Sequence, residues 1–417
     1  MAKSMISVEQ AETLIAQQIK PTQIINCSLG NAVGQVLRTE VCAERDEPPF
    51  DRVMMDGIAT HHGAFNKGRR RYGVQAVQAA GEPPQQLKSD DACIEVMTGA
   101  VLPTGCDCVI PVEDIEISEG HAELRDGVTP KAGQFIHRRG SDRPRGTRVL
   151  EAGTLLGATE VAVLAAAGQA SVPVARRPRI SVISTGDELV DPGRPIAPYQ
   201  VRRSNPYGIV AALSVAGFTD IHSAHLPDEP VVMRREIEAQ LSQSEVLVLS
   251  GGVSMGKHDH VPAIMDAMGV TVHFHCVAQR PGKPLWFGTG PDGQLVFALP
   301  GNPVSVLVCL YRYVLPALEH MLGKTSGLLE RVKLADAVEF AAKLTWFLPI
   351  RLRASTDGQL QAQPNPPNTS GDLTSLAGTD GFVGLAAEKK QFPEGYVAPL
   401  FRWRPPAMAR TGHVKHD

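Results

Sequence analysis

The chain has 417 residues, too long for one ordinary domain; at ~150 residues per domain it predicts about three. Its 43% hydrophobic and 20% charged residues exclude a disordered or fibrous chain. A net charge of -3, from 41 basic and 44 acidic residues, argues against a general binder of nucleic acid or membrane surfaces.

The first predicted element is a helix opened by a capping box, Ser7 with Gln10, with Ala11, Leu14 and Ile15 on one face. From about Glu47 to Arg145 short apolar stretches are cut by Gly, Pro and Asp, which predicts a separate β-rich module. A second helix, ATEVAVLAAAG, ends at Gly168 in an expected left-handed cap. Packing of these two helices on each other would make the β module an insertion.

From Arg179 strands and helices alternate. RISVIS, EVLVLS, TVHFHCVA and LVFALP read as strands; Ser204-Asn205-Pro206 opens one helix through a capping residue and a proline, and another runs from Pro303 to Leu322. This alternation predicts a largely parallel, doubly wound sheet with its working loops at the strand C-termini. After Gly327 short strands and turns return, predicting a small β domain and a loose tail. The expected division is 1–46 with 146–175 as a helical linker and dimerisation segment, 47–145 as lid, 176–326 as central domain, 327–405 as C-terminal domain and 406–417 as tail.

The seven cysteines are odd in number and include no C-x-x-C, which predicts neither a disulfide framework nor a zinc ribbon and fits a reducing cytoplasm. Apolar runs fall short of the ~18 residues of a membrane span, and MAKSMISVEQ lacks the apolar stretch of a signal peptide. No nucleic-acid or membrane partner is expected.

Four loops, each read as following a strand on one sheet edge, carry the chemistry: STGDE (184–188), SGGVSMG (250–256), RPGKP (280–284) and LPGNPVS (299–305). Glycines let such loops aim several N–H groups at one anion. As a set they predict a phosphate-bearing ligand. GTGPDG (288–293) lies between strands and reads as a hairpin turn rather than a dinucleotide fingerprint, and Gly256-Lys257 is followed by His258, so no P-loop is present. Asp187, Glu188, Asp228 and Asp259 accompany the loops; oxygen donors beside an anion site suit Mg²⁺ bridged to phosphate, although each could instead cap a helix or face solvent. His273-Phe-His275 and Cys106-Asp-Cys108 read as packed pairs on strands. In the β module HRRGSDRPRG (137–146) is either an oxyanion site or a solvated basic face.

Taken together these segments resemble the MoeA family of molybdopterin molybdenumtransferases, seen also as the E domain of gephyrin. The family's SAMDGYA corresponds to VMMDGIA (53–59), its TGA-x-x-P-x-G-A-D to TGAVLPTGCD (98–107), and its STGDEL to the same letters at 184–189. RSN (203–205), SGGVSMGKHD (250–259), RPGKP, LPGNPVS and TSGDLTSLA (369–377) follow in the family's order. The chain departs with Lys257 for an acid, Arg203 for the aspartate of DSN, Arg280 for lysine, Val53 for serine and Ile58 for tyrosine.

The resemblance implies a multidomain α/β subunit with a central domain like that of MogA and MoaB, an inserted β lid, a helical segment and a C-terminal β-barrel. It implies a homodimer whose cleft lies between one subunit's central domain and the other's lid, in contact with other proteins of the same biosynthesis. The implied reaction inserts molybdate into adenylylated molybdopterin with release of AMP and a need for Mg²⁺. Asp187, Glu188, Asp228 and Asp259 would hold the metal. Thr185, Gly186, Ser204, Asn205, Ser250, Gly251, Gly252, Ser254, Gly282, Pro300, Gly301 and Asn302 would hold nucleotide and pterin phosphates, and Arg280 and Lys283 would neutralise the phosphoanhydride. From the lid, Asp56, Thr98, Arg138 and Asp142 would lie where molybdate enters. The alternative is a molybdopterin-binding or scaffold protein that keeps the fold without turnover. Adenylation of the pterin by a related domain is a third reading, less suited to the lid and the C-terminal domain.

Overall fold

The computed structural model describes residues 5–252, 260–355 and 357–404. The opening helix, Val8–Gln18, is capped as its sequence requires. The Ser7 hydroxyl accepts the Gln10 N–H and the Gln10 side chain accepts the Ser7 N–H. Val8, Ala11 and Ile15 bury one face, which enters the central core with Leu318 and Met321. It does not pack on the second helix, as the sequence led one to expect. That helix, Ala158–Ala166, does end in a left-handed Gly168. Its Leu164 packs instead with Val172 and Val174 of a two-stranded ribbon, Ile24–Ser28 with Ser171–Ala175. The ribbon takes up the apolar face that the first helix would have covered.

Short antiparallel pairings mark where the chain leaves and returns around the lid: Val41–Cys42 with Arg148–Leu150, and Glu47 with Arg143. Inside them lies a six-stranded sheet in the order Cys108–Pro111, Gly57–Thr60, Ala92–Val96, Arg71–Gln78, His121–Leu124, Ile115–Ser118. Alternate residues fill its two faces, Ile58, Cys93 and Ile110 on one and Ala59, Ile94 and Val109 on the other.

The central sheet runs Ile221–Leu226, Ile180–Thr185, Val246–Ser250, Leu295–Leu299, Trp286–Thr289, Thr271–His275. The first four strands are parallel, and Trp286–Thr289 runs antiparallel to both of its neighbours, so Thr271–His275 points the same way as the first four. Val246–Ser250 and Leu295–Leu299 are buried at every residue, as strands covered on both faces require. GTGPDG is the hairpin turn between Trp286–Thr289 and Leu295–Leu299, with the Gly290 N–H donating to the Gln294 carbonyl at 2.8 Å. The helix Pro303–Met321 contains a π-type turn at Leu310–Val314. By length and composition it could cross a membrane. Here its Val306, Leu310, Val314 and Leu318 instead form the middle of the central core.

In the C-terminal domain five strands run Thr345–Ala354, Leu360–Pro364, Arg331–Leu334, Val397–Arg402, Gly381–Leu385. The last pairs back onto the first, so the sheet closes into a small barrel around Leu334, Leu348, Ile350 and Val383. The tail expected at 406–417 lies outside the described residues.

Candidate active site between the central domain and the barrel

Three of the four glycine-bearing loops leave neighbouring parallel strands at their carboxyl ends: 184–188 after Ile180–Thr185, 250–252 after Val246–Ser250 and 299–305 after Leu295–Leu299. Asn205 ties the second and third of them together. Its side-chain amide donates to Ser250 Oγ at 2.8 Å and to the Gly301 carbonyl at 2.7 Å. Ser204, expected to cap the helix Asn205–Val215, makes no capping bond with its side chain. Its backbone is already helical (φ -95°, ψ -34°), whereas a capping side chain reaches back only from extended backbone. Gly251 and Gly252 pass so close to Thr185 that a Cβ on either would sit about 3 Å from its hydroxyl oxygen. That hydroxyl is buried and, among the described residues, has no hydrogen-bond partner. The remainder of this loop, with Ser254, Lys257 and Asp259, lies outside the described residues.

The fourth loop, RPGKP, arrives by another route. Gln279–Arg280 pairs with Thr345–Trp346 of the barrel, so this loop does not follow a strand of the central sheet as expected. Gln279 is fully buried beneath it; its amide donates to the Pro281 and Gly282 carbonyls at 3.1 and 3.3 Å, and its oxygen accepts from Tyr313. Gly282 (φ +92°) is packed so tightly that a Cβ would sit 2.5 Å from Cys309 Sγ and 2.6 Å from Gln279 Nε2.

RPGKP and the Pro300-Gly301-Asn302 loop line one cavity of about 480 Å³, closed on its far side by Asn368, Thr369 and Ser370 of the barrel. Asn302 donates to Ser370 Oγ at 2.7 Å, and the Val304 N–H, at the start of the long helix, donates to the Ser370 carbonyl at 3.1 Å. Arg280 and Lys283 are both exposed on this cavity, and neither makes an ion pair with a described residue. No carboxylate lines it among the described residues. Arg280, whose guanidinium lies 5.9 Å from the centre of the Phe340 ring, and Lys283 are two cations beside a helix N-terminus, a combination that suits an anion.

Asp187 and Glu188 extend from the 184–188 loop, with Asp228 on the adjacent one. Asp187 Oδ1 accepts the Asp228 N–H at 3.2 Å, and the Glu188 carboxylate folds over Gly186. Among the described residues no three His, Cys, Asp or Glu side chains converge as a metal cage. The donors are all oxygens, which fits Mg²⁺ held by one or two carboxylates and completed by phosphate and water.

In the lid, Asp56 Oδ1 accepts both the Thr98 N–H (2.6 Å) and the Thr98 hydroxyl (2.7 Å), which hold its carboxyl below the usual range. Arg138 pairs with Asp51 at 2.6 Å and Asp142 with His137 at 2.7 Å. Arg139 also meets Asp46 at 2.7 Å, and the Arg138 and Arg139 side chains stay more than half exposed, so the run is a solvated face partly paired to acids. His273 packs against Phe287 and meets Thr289 Oγ1 at 3.0 Å.

The sequence matches three family models in chain order. Residues 6–168 match the MoeA N-terminal region (domain I and II), 181–320 a probable molybdopterin binding domain, and 331–400 the MoeA C-terminal region (domain IV). The chain is 36% identical over 400 residues to a molybdopterin molybdenumtransferase of Synechocystis, covering 96% of this chain and all of that one. It belongs to the MoeA family of molybdopterin molybdenumtransferases. The Haemophilus influenzae molybdopterin molybdenumtransferase is 32% identical over 77% of this chain and 78% of its own. Among solved structures, a molybdopterin biosynthesis MoeA protein of Pyrococcus horikoshii superposes with a TM-score of 0.82 at 27% identity, covering 96% of this chain and 100% of that one.

Within this MoeA fold three contributors escaped sequence reasoning. Gln279 falls between the predicted strand TVHFHCVA and the RPGKP loop and takes a role from neither, and Asn368 and Ser370 lie over sixty positions from the loop they complete. TSG at 369–371 was the only available signal, visible as a motif but not as a part of this cavity.

Proposed function

We propose that this chain acts in molybdenum cofactor biosynthesis by inserting molybdate into adenylylated molybdopterin, releasing AMP in a Mg²⁺-dependent reaction. The observation that carries the reading is the 480 Å³ cavity at the junction of central domain and barrel, with Arg280 and Lys283 on a wall to which no described residue adds a carboxylate. A phosphoanhydride or an oxyanion is the ligand such a wall accepts.

In this reading backbone N–H groups of the 185–186, 250–252 and 300–302 loops, with the Asn302 and Ser204 side chains, hold the phosphates. The unpartnered Thr185 hydroxyl gains an acceptor from the ligand. Arg280 and Lys283 neutralise charge that develops as water or a molybdate oxygen attacks the phosphoanhydride and AMP leaves. Asp187, Glu188, Asp228 and Asp259 hold Mg²⁺, which when bound supplies Lewis-acid polarisation of the phosphate oxygens. Asp56, kept ionised by Thr98, and Arg138 and Asp142 act from the lid of a partner subunit in a homodimer. The compartment is the cytoplasm.

The test is AMP release from adenylylated molybdopterin with Mg²⁺, with and without molybdate. Molybdate-dependent release supports the reading, and Asp259→Asn should abolish it in a folded protein. Tight binding without release would favour a carrier or scaffold instead.

A further inference from the structure

The loop that carries Asp187 and Glu188 does not end at the sheet. It continues as an excursion, 189–203, before the chain reaches Asn205. Residues 191–196 are all exposed, Tyr199 is 83% exposed, and no residue of the excursion joins a hydrophobic cluster. Nothing apolar orders it, so its position must rest on polar contacts.

Those contacts form a latch at its base. Leu189–Val190 pairs in parallel with Val201–Arg202, the Val201 N–H donating to the Glu188 carbonyl and the Arg203 N–H to the Val190 carbonyl. Arg202 donates to the Asp191 and Arg194 carbonyls at 2.9 and 2.7 Å. Arg203 Nε donates to Asp191 Oδ1 at 2.7 Å, and its guanidinium lies 5.7 Å from the centre of the Tyr207 ring on the next helix. The Arg203 side chain is only 14% exposed while that of Asp191 is 50% exposed, so the ion pair is shielded from solvent on the arginine side. An acid at this position, the family's habit, would face Asp191 with like charge.

We infer that Arg203 is a positioning residue: paired with Asp191 and stacked on Tyr207, it clamps the two ends of the excursion and thereby sets the placement of Asp187 and Glu188. This rests on the metal role proposed for those carboxylates. It also assigns the swap of acid for base at 203 a partner, so its charge is spent on Asp191 rather than added to the metal site.

Arg203→Gln and Asp191→Asn test the clamp from opposite sides, and Arg203→Lys tests the need for a fork rather than a charge. Hydrogen exchange of the full chain should show the amides of Leu189, Val201 and Arg203 opening about fivefold faster in the first two variants, the scale of one partly shielded ion pair. Ile180–Thr185 should be unchanged, and Arg203→Lys should restore part of the protection. Titration with MgCl₂ should show half-maximal AMP release shifted to higher Mg²⁺ with the rate at saturation within about twofold. Unchanged exchange would overturn the clamp. Faster exchange with an unmoved Mg²⁺ dependence would overturn its link to the carboxylates. Absence of AMP release from the unaltered protein would count against the proposed function alone, and exchange with and without Mg²⁺ would still decide the inference.

Discussion

The side-chain amide of Asn302 donates to the hydroxyl of Ser370 across 2.7 Å, joining the first turn of the central domain's longest helix to the barrel. Its neighbour contact, Val304 N–H to the Ser370 carbonyl, makes the junction two-point. Asn302→Ala should cost about 1 kcal/mol in denaturant unfolding, the net worth of one such bond. It should lower kcat/KM about tenfold, since it moves the wall that faces Arg280 and Lys283. Wild-type kinetics in this variant would mean that the barrel does not help shape the site.

Asn205 holds two loops with one amide, so Asn205→Asp is the sharper probe. The carboxylate keeps the shape but confronts the Gly301 carbonyl with charge and loses both donors. Turnover should fall about 100-fold, as displacement of a positioned group by about 1 Å does, while the far-ultraviolet spectrum stays native. Retention of full activity would remove Asn205 from the site.

Lys283→Gln removes one of two charges from the anion wall. A loss of about 100-fold in kcat is expected if that charge is felt in the transition state. Arg280→Lys, which restores the family's residue, should keep most activity at low salt. An effect on KM alone for Lys283→Gln would place the charge in ground-state binding.

Burial pushes the thiols of Cys93, Cys106, Cys108 and Cys309 up to about 12. At pH 8 about one in 10⁴ of each would be thiolate, so these four should resist iodoacetamide in the native protein. Mass spectrometry should find labels on Cys27, Cys42 and Cys276 only, with Cys276 slowed by its own burial. Rapid labelling of Cys93 or Cys108 would show that the lid core opens.

The Asp56 carboxyl, held below its usual range by the Thr98 hydroxyl and N–H, contributes lid stability in its ionised form. Its folded value lies below the unfolded one, so this contribution is complete above the unfolded value near 3.9 and is lost as pH falls through the lower folded value. Thr98→Val should weaken the acid tolerance of the lid, read by its melting between about pH 5 and 2. Identical acid transitions in both proteins would rule out the pair as a stabilising contact.

Much of the molecule was legible in order of sequence because its signals are local. The capping box at Ser7, the left-handed Gly168, the continuous apolar runs of Val246–Ser250 and Leu295–Leu299 and the GTGPDG turn each follow from backbone rules acting over a few residues. The RPGKP loop misled because it resembles the others in composition, while its strand is captured by the barrel. Ser204 misled because capping depends on a backbone angle that its letter does not reveal.

The amino-acid order alone therefore determined the architecture, the glycine loops and the residue types that meet an anion, since periodicity and turn chemistry are short-range. Only the tertiary structure decided which loops share a cavity. Asn205 reaching Gly301, Gln279 seated beneath RPGKP, Ser370 closing the wall and Arg203 turned toward Asp191 are pairings chosen by packing. In the sequence those positions carry polar residues whose partners remain unspecified until the sheet and the barrel are brought together.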